Sequence, residues 1–451
     1  MATTEATAAR PTTRRDLAPW TGLGIAFALL AAAVALPPLL DWDVHARLHS
    51  GDGLAPLHDS WDPGVGPGTV PAVLLALLGW RYAAGLAERL PWRGLLASSY
   101  AAGLAWLLAL AYVDGSSGIS RVLGNGAEYL RTARATTDVH AMLQQYVDRI
   151  PYSAADNWPT HVAGHPPGAL LVFVGLDRVG LGGDYAAGLV VTLVAATTAV
   201  AVMVCLRTLG AESVARTAAP YLVLAPAAVF MAVSADALFA AFVAWGLAAL
   251  AISATRSRPG GVAGWGLLAG LVLGWCVLMS YGLVLVGLLA LAVLWLARSW
   301  TPLPFAVLGA LVVVASFAAA GFALWDAYPV LHDRYWDGIA RVRPASYWLW
   351  GDLAALVVSA GPVLGAGLGS LSAHRRSADR AVVALVAASA AAVLLADLSR
   401  MSKGEVERIW LPFVPWLLLS AVLLPERWRR PALALQLGTA LLVQHLLYTS
   451  W

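Results

Sequence analysis

GALLVFVGLDRVGL, residues 168–181, is the stretch on which the topology of this chain turns. It is apolar, but too short to cross a hydrocarbon core of about 30 Å, which takes about 20 helical residues. It also carries Asp177 and Arg178 side by side. Read as a span, it would invert every later loop and move most of the downstream basic residues to the outer side. Read as an amphipathic helix in the outer interface, it leaves the short basic connectors inside, where the positive-inside rule puts them. The second reading is adopted.

Outward from this segment the composition is that of a membrane protein. The 451 residues are 60% hydrophobic and only 12% charged, with a mean hydropathy of +0.72. Soluble domains run near half apolar and about a quarter charged. The apolar residues come in blocks of about 18–22 with almost no charge, the length of a transmembrane helix. Spans are expected at roughly 20–40, 69–87, 94–113, 184–206, 217–233, 235–254, 262–279, 281–297, 303–325, 352–371, 380–397, 409–424 and 431–448. The expected fold class is therefore all-α, a polytopic bundle of about 13 spans with juxtamembrane amphipathic helices in a long outer loop.

The domain reading follows. Residues 1–19 form a cytoplasmic basic tail, and 20–113 hold the first three spans. Residues 114–183 form a large extracytoplasmic loop, and 184–451 hold ten further spans with outer loops at 326–351 and 398–408. The N-terminus is expected in the cytoplasm and the C-terminus outside, in a cell membrane. The first apolar run has no clear small-residue cleavage site, so it reads as a retained helix. Cys205 and Cys276 both fall within spans and read as small hydrophobes. The outer loops are the longer ones and are rich in Trp, Tyr, His, Asp and Pro, so the working face is expected outside.

Candidate residues cluster there. Asp41-Trp42-Asp43 opens the first outer loop, and paired carboxylates can hold a divalent ion. Asp114 sits where the third span leaves the membrane, where partial desolvation raises a carboxylate's basicity. Glu128 and Tyr129 follow in GAEYL. His161 and His165 lie four apart, but Gly164 and the HPPG turn (165–168) argue against a helical metal pair. Asp236 stands between two apolar helices and should face a hydrated cavity, because a carboxylate facing lipid costs about 2.5–3.5 kcal/mol at the centre. SRMSKGEVERIWLPFVPW adds Arg400, Lys403, Glu405, Glu407 and Arg408, cations suited to a phosphate at headgroup level. Arg334, Arg341 and Arg343 of the third large loop suit the same role. There is no GxxxxGK[ST], CxxC, HExxH or GxSxG.

In order, these motifs resemble the GT-C superfamily of lipid-phosphate-sugar-dependent glycosyltransferases. The likeness is to the protein-mannosyltransferase and aminoarabinose-transferase branch and to actinobacterial arabinosyl- and mannosyltransferases, over about residues 105–425. The resemblance rests on the carboxylate after an early helix, Glu128-Tyr129, HPPG, LRTLG (206–210), SADALFAAF and ERIWLPFVP. It implies that Asp114 is the catalytic base, with Glu128, Asp41 or Asp43 as alternatives. Tyr129, His161 and His165 would line the site, and Asp236 would match the family's later carboxylate. Lys403 and Arg408 would approach the donor phosphate, with Arg343 and Glu405 as further substrate-binding candidates.

The implied activity is inverting transfer from a polyprenyl-phosphate-linked sugar to a glycan, lipid or protein acceptor. Trp158, Tyr335 and Trp336 would be available to stack on sugars. Mg or Mn is a candidate cofactor with no residue assigned to it. Membrane lipid is an expected partner and nucleic acid is not. A multi-pass transporter or lipid-linked-saccharide flippase is the alternative. It would call for internal repeats and mid-membrane charges, neither of which stands out.

Overall fold

The computed structural model describes residues 14–46 and 54–448. These residues are overwhelmingly helical. The one sheet is a two-stranded antiparallel patch in which β1 (Ser60–Trp61) pairs with β2 (Leu447–Tyr448). The all-α expectation holds.

The chain opens with α1 (Arg14–Leu39), followed by α2 (Thr69–Arg89) and α3 (Trp92–Ala111). Pro91 separates the last two, since proline cannot continue the α2 hydrogen-bond ladder but starts a helix well. The large loop carries five short helices: α4 (Ser117–Gly124), α5 (Tyr129–Ala135), α6 (Val139–Gln144), α7 (Thr160–Gly164) and α8 (Pro167–Arg178). Then come α9 (Asp184–Ala195), α10 (Thr197–Thr208), α11 (Glu212–Val223), α12 (Ala228–Met231), α13 (Ala235–Ala254) and α14 (Pro259–Met279). The remainder is α15 (Val286–Ala297), α16 (Leu303–Ala319), α17 (Leu324–Asp337), α18 (Ala345–Ala360), α19 (Val363–His374), α20 (Arg380–Leu398), α21 (Val406–Ile409), α22 (Val414–Leu417) and α23 (Glu426–Leu446).

Among the described residues, seven helices are long and apolar enough to cross a membrane, or nine if each of two bent pairs counts as one span. The pairs are α16–α17, bent by 74°, and α18–α19, bent by 103°. The expected span 352–371 straddles the second bend, where Gly361 takes a left-handed φ of 85° and Pro362 follows. The expected span 217–233 is likewise broken, because α11 stops at Val223 just before Pro226. Residues 409–424 form short helical pieces punctuated by Pro412 and Pro415. In each case an apolar run is continuous while its backbone is not, and hydropathy alone does not register the difference. α8 is a single 12-residue helix, roughly 18 Å long at 1.5 Å per residue, short of a bilayer.

α13 is the axis of the bundle. It is apolar on every side, and 83% of its 18-residue window is buried, as a helix without a polar face must be. Elsewhere small residues allow helices to approach closely. A β-carbon on Gly270 of α14 would lie 2.0 Å from the Ala306 carbonyl oxygen of α16, so only glycine fits that crossing. Cys205 and Cys276 are free and buried, as small apolar residues would be.

Candidate functional site

Four polar residues from four separate segments converge on the guanidinium of Arg408, itself only 4% exposed. Its Nη1 donates to Asp236 Oδ2 at 3.0 Å and lies 3.8 Å from Glu128 Oε1. Its Nη2 donates to Glu405 Oε2 at 2.9 Å and reaches His161 Nε2 at 3.0 Å. His161 Nδ1 in turn lies 2.6 Å from Glu128 Oε1. Arginine only donates, so His161 Nε2 must accept, and its proton then sits on Nδ1, directed at Glu128. The ring is thus a neutral bridge between the carboxylate and the guanidinium.

Local chemistry explains how each residue arrives. Glu128 stands at the N-terminal end of α5, and His161 follows Pro159 and Thr160 in the first turn of α7. The His161 N–H donates to the Ala127 carbonyl at 3.0 Å, which pins the two segments together. Asp236 lies in the first turn of α13. Glu405 and Arg408 sit on a turn in which Gly404 and Glu405 both take left-handed backbone, at φ 83° and 63°. A side chain on Gly404 would meet the Arg343 guanidinium, with a β-carbon 2.6 Å from Nη1. For Glu405 this conformation costs about a kcal/mol, and the dense anchoring of the turn holds it there. That anchoring includes the Gly404 N–H, which donates to the buried Asp352 Oδ1 at 2.9 Å.

His58, absent from the expected site, belongs to its edge together with Glu407. The His58 N–H donates to Glu407 Oε1 at 3.3 Å, and its ring Nδ1 is 3.9 Å from Glu405 Oε1. Glu407 appears in the ERIW motif and was open to reading from there. His58 carries no local signal, since a single histidine in the first outer loop is indistinguishable from a surface residue.

Burial and charge set the protonation states. Burial alone would push the Glu128 carboxyl up, yet the His161 hydrogen bond and the Arg408 guanidinium hold it below the usual carboxylate range. Glu405 is likewise lowered against burial, chiefly by Arg408 and His58. For Glu407, burial outweighs its hydrogen bonds and pushes the carboxyl up to about 7. Burial also lowers His165, which stays neutral. Glu128 Oε2 and Glu407 Oε2 are buried and accept no hydrogen bond among the described residues.

The other expected residues fall into place around this centre or away from it. His165 Nδ1 bonds the His161 carbonyl at 2.9 Å, and its ring packs beside Tyr129 and Phe239. Tyr129 stacks on Phe173, with ring centroids 5.3 Å apart. Both therefore back the site from the apolar side. Arg343 and Lys403 are saturated by carbonyl oxygens: Arg343 by those of His45, Ala46 and Lys403, and Lys403 by those of Ala340 and Arg343. They tie the 45–46 segment to the 403–408 turn. Asp114 lies apart. It pairs with Arg121 at 2.9 Å and accepts from Gln444 Nε2 at 3.2 Å, and it shares no bond with the Arg408 cluster. Asp43 holds His45, and neither it nor Asp41 bonds to the cluster among the described residues.

Trp158 is not available to stack on a sugar. It is 2% exposed, its indole N–H bonds the Tyr146 carbonyl, and the Arg149 guanidinium covers its face at 3.4 Å. Arg334 is not a free phosphate ligand either, because it is buried against the Ile150 and Trp158 carbonyls. Tyr335 accepts the Lys403 N–H at 2.9 Å, and the Lys403 ammonium lies over the Trp336 ring. For a divalent cation, no group of three or more His, Cys, Asp or Glu side chains among the described residues is arranged as a cage. The carboxylates around Arg408 are instead taken up by the guanidinium and the imidazole.

Chemically, the arrangement offers an ionised carboxylate with one unbonded oxygen beside a permanent cation, both shielded from water. Compared with protein-family models, curated proteins and solved structures, the chain matches none of them.

Proposed function

We propose that the chain is a membrane glycosyltransferase that moves a sugar from a polyprenyl-phosphate donor to a cell-envelope acceptor on the outer face, by a single inverting displacement. The carrying observation is the convergence on Arg408. Glu128, His161, Asp236 and Glu405 come from motifs spread across the chain and meet at one buried guanidinium. The N-terminus is cytoplasmic and the C-terminus outside, with about 13 membrane-embedded segments, several of them broken helices. The β1–β2 pairing supports this sidedness, since it joins the first outer loop to the chain's end.

Glu128 is the base in this reading, in preference to Asp114. Its carboxylate takes the acceptor hydroxyl's proton as that oxygen attacks the anomeric carbon. The bond from that carbon to the phosphate oxygen breaks, and the polyprenyl phosphate leaves with the electron pair. Arg408 meets the departing charge. The His161 Nδ1–H orients Glu128 and takes no proton itself. Because its neighbours hold Glu128 ionised, it is a ready but weak base. The rate then rests on position and on the fixed cation more than on basicity.

The test is transfer by purified protein in liposomes with a panel of radiolabelled polyprenyl-phosphate sugars and membrane acceptors. Glu128→Gln should lower transfer by about 10²–10⁴-fold, while Asp114→Asn should keep most of it. Loss confined to Asp114→Asn would move the base to that residue. Movement of a labelled lipid across the bilayer, with no transfer from any donor, would replace the enzyme by a flippase.

A further inference from the structure

Beside the Arg408 cluster, the large loop forms a surface-open cavity of about 450 Å³ between α5, α6 and the 158–159 segment. This is within the range of ligand sites, roughly 300–1,000 Å³. Its lining differs from that of the bundle's other large cavities, which are walled by leucine, alanine and glycine. Here the lining mixes Arg131, Thr132, Thr137 and Gln145 with Met142 and Pro159. Hydroxyl, amide and guanidinium groups interspersed with apolar ones suit a carbohydrate, whose rings have polar edges and C–H faces. It does not suit an acyl chain.

The charge is the more specific signal. Arg149 and Asp138 also line the cavity, but both are committed. Arg149 pairs with Asp156 at 3.0 Å and covers Trp158, and Asp138 Oδ1 caps α6 by accepting from the His140 and Ala141 N–H groups. Arg131 is exposed and makes no hydrogen bond or ion pair among the described residues. Its planar guanidinium is suited to a carboxylate or a phosphate ester in two-point contact.

Position links this cavity to the chemistry. Gly126 and Pro159 line it, and two residues further along each strand of chain stand Glu128 and His161. The Ala127–His161 backbone bond separates cavity from cluster. Cavity and cluster are therefore immediate neighbours along two segments of the chain.

We propose that this cavity is an acceptor subsite for an anionic saccharide, with Arg131 binding the carboxylate or phosphate of the sugar unit next to the reacting one. This rests on the glycosyltransferase reading, but its test does not depend on turnover. Binding would be measured by fluorescence anisotropy on the full-length protein in lipid nanodiscs. The probes are a labelled hexuronate tetrasaccharide and its carboxyl-reduced neutral form.

The uronate should bind about tenfold more tightly than the neutral form, the size of one charge-assisted contact. Arg131→Ala should abolish that preference and Arg131→Lys keep part of it, while Glu128→Gln should bind normally. Arg131 is exposed and unbonded, so an unchanged melting temperature would show that the variants are folded. Equal binding of both probes, or a preference that survives Arg131→Ala, would overturn the proposal. So would displacement by inorganic phosphate at the concentrations at which unlabelled saccharide competes, which would mark a general anion site. Normal uronate binding alongside full transfer by Glu128→Gln would instead fault the catalytic reading and leave the subsite standing.

Discussion

Arg408 shows what a single buried charge can organise. An unpaired guanidinium at 4% exposure would carry a desolvation cost of several kcal/mol, and the surrounding carboxylates are what make its position tenable. Burial gives Glu407 its unusual state. Its folded carboxyl sits at about 7, against 4.5 for the free side chain, because burial disfavours its charge. A raised folded value means that the folded protein holds this proton more tightly than the unfolded chain. The stabilisation is complete below about pH 4.5 and is lost as pH rises through about 7. Glu128 and Glu405 work in the opposite sense, contributing above pH 4.5 and losing that contribution as pH falls further. Between pH 5 and 8 Glu407→Gln should therefore gain on the wild type, by about 3 kcal/mol at pH 8 and much less at pH 5. Glutamine keeps an oxygen for the His58 N–H, and differencing against wild type cancels the histidines. Melting temperatures in detergent at four pH values would show it, and parallel profiles for the two proteins would refute it. At this scale the sequence displayed the residue types in ERIW and GAEYL but not their partners.

At the level of elements, the helices meet through glycine wherever two backbones cross closely. Gly270 against Ala306 is the tightest such place between α14 and α16. Gly270→Val has nowhere to put its side chain and should destabilise the protein by about 1–3 kcal/mol, as overpacking does. Gly264 lies on the same helix with nothing within 4 Å of its would-be β-carbon, so Gly264→Ala should be neutral or mildly stabilising through helix propensity. A denaturant titration in detergent separates the two, and equal effects would mean that the crossing is not tight. The stretch GWGLLAGLVLG announced small residues at helical spacing, yet which of them faced a neighbour awaited the packing. The breaks at Gly361-Pro362 and Pro226 were equally visible as letters. Whether such a proline bends a span or ends it depends on the helices available to satisfy the freed backbone groups.

For the molecule as a whole, the decisive matter is sidedness. Residue 153 lies in the large loop and residue 377 in the connector after α19, and both side chains are exposed. In intact cells a membrane-impermeant maleimide should label Ser153→Cys directly and Ser377→Cys only after permeabilisation. The native Cys205 and Cys276, being buried, should stay silent. The reverse pattern would invert the topology and remove the outer-face acceptor.

The sequence by itself determined the solvent of this protein. Transfer of apolar helices into lipid is a sum over residues, and a sum can be read from composition and block length without knowing what touches what. It also made the outer loops the place to look, because charges there cost little while charges in the spans would cost much. Only the tertiary structure decided which carboxylate meets the arginine. Asp114 and Glu128 are chemically equivalent as letters, and the first stood out because it ends a helix. Their difference is one of distance: Asp114 turns to Arg121 and Gln444, while Glu128 reaches His161 and Arg408 across the fold. Such pair energies depend on separation and on exclusion of water, and neither is a property of any segment of chain.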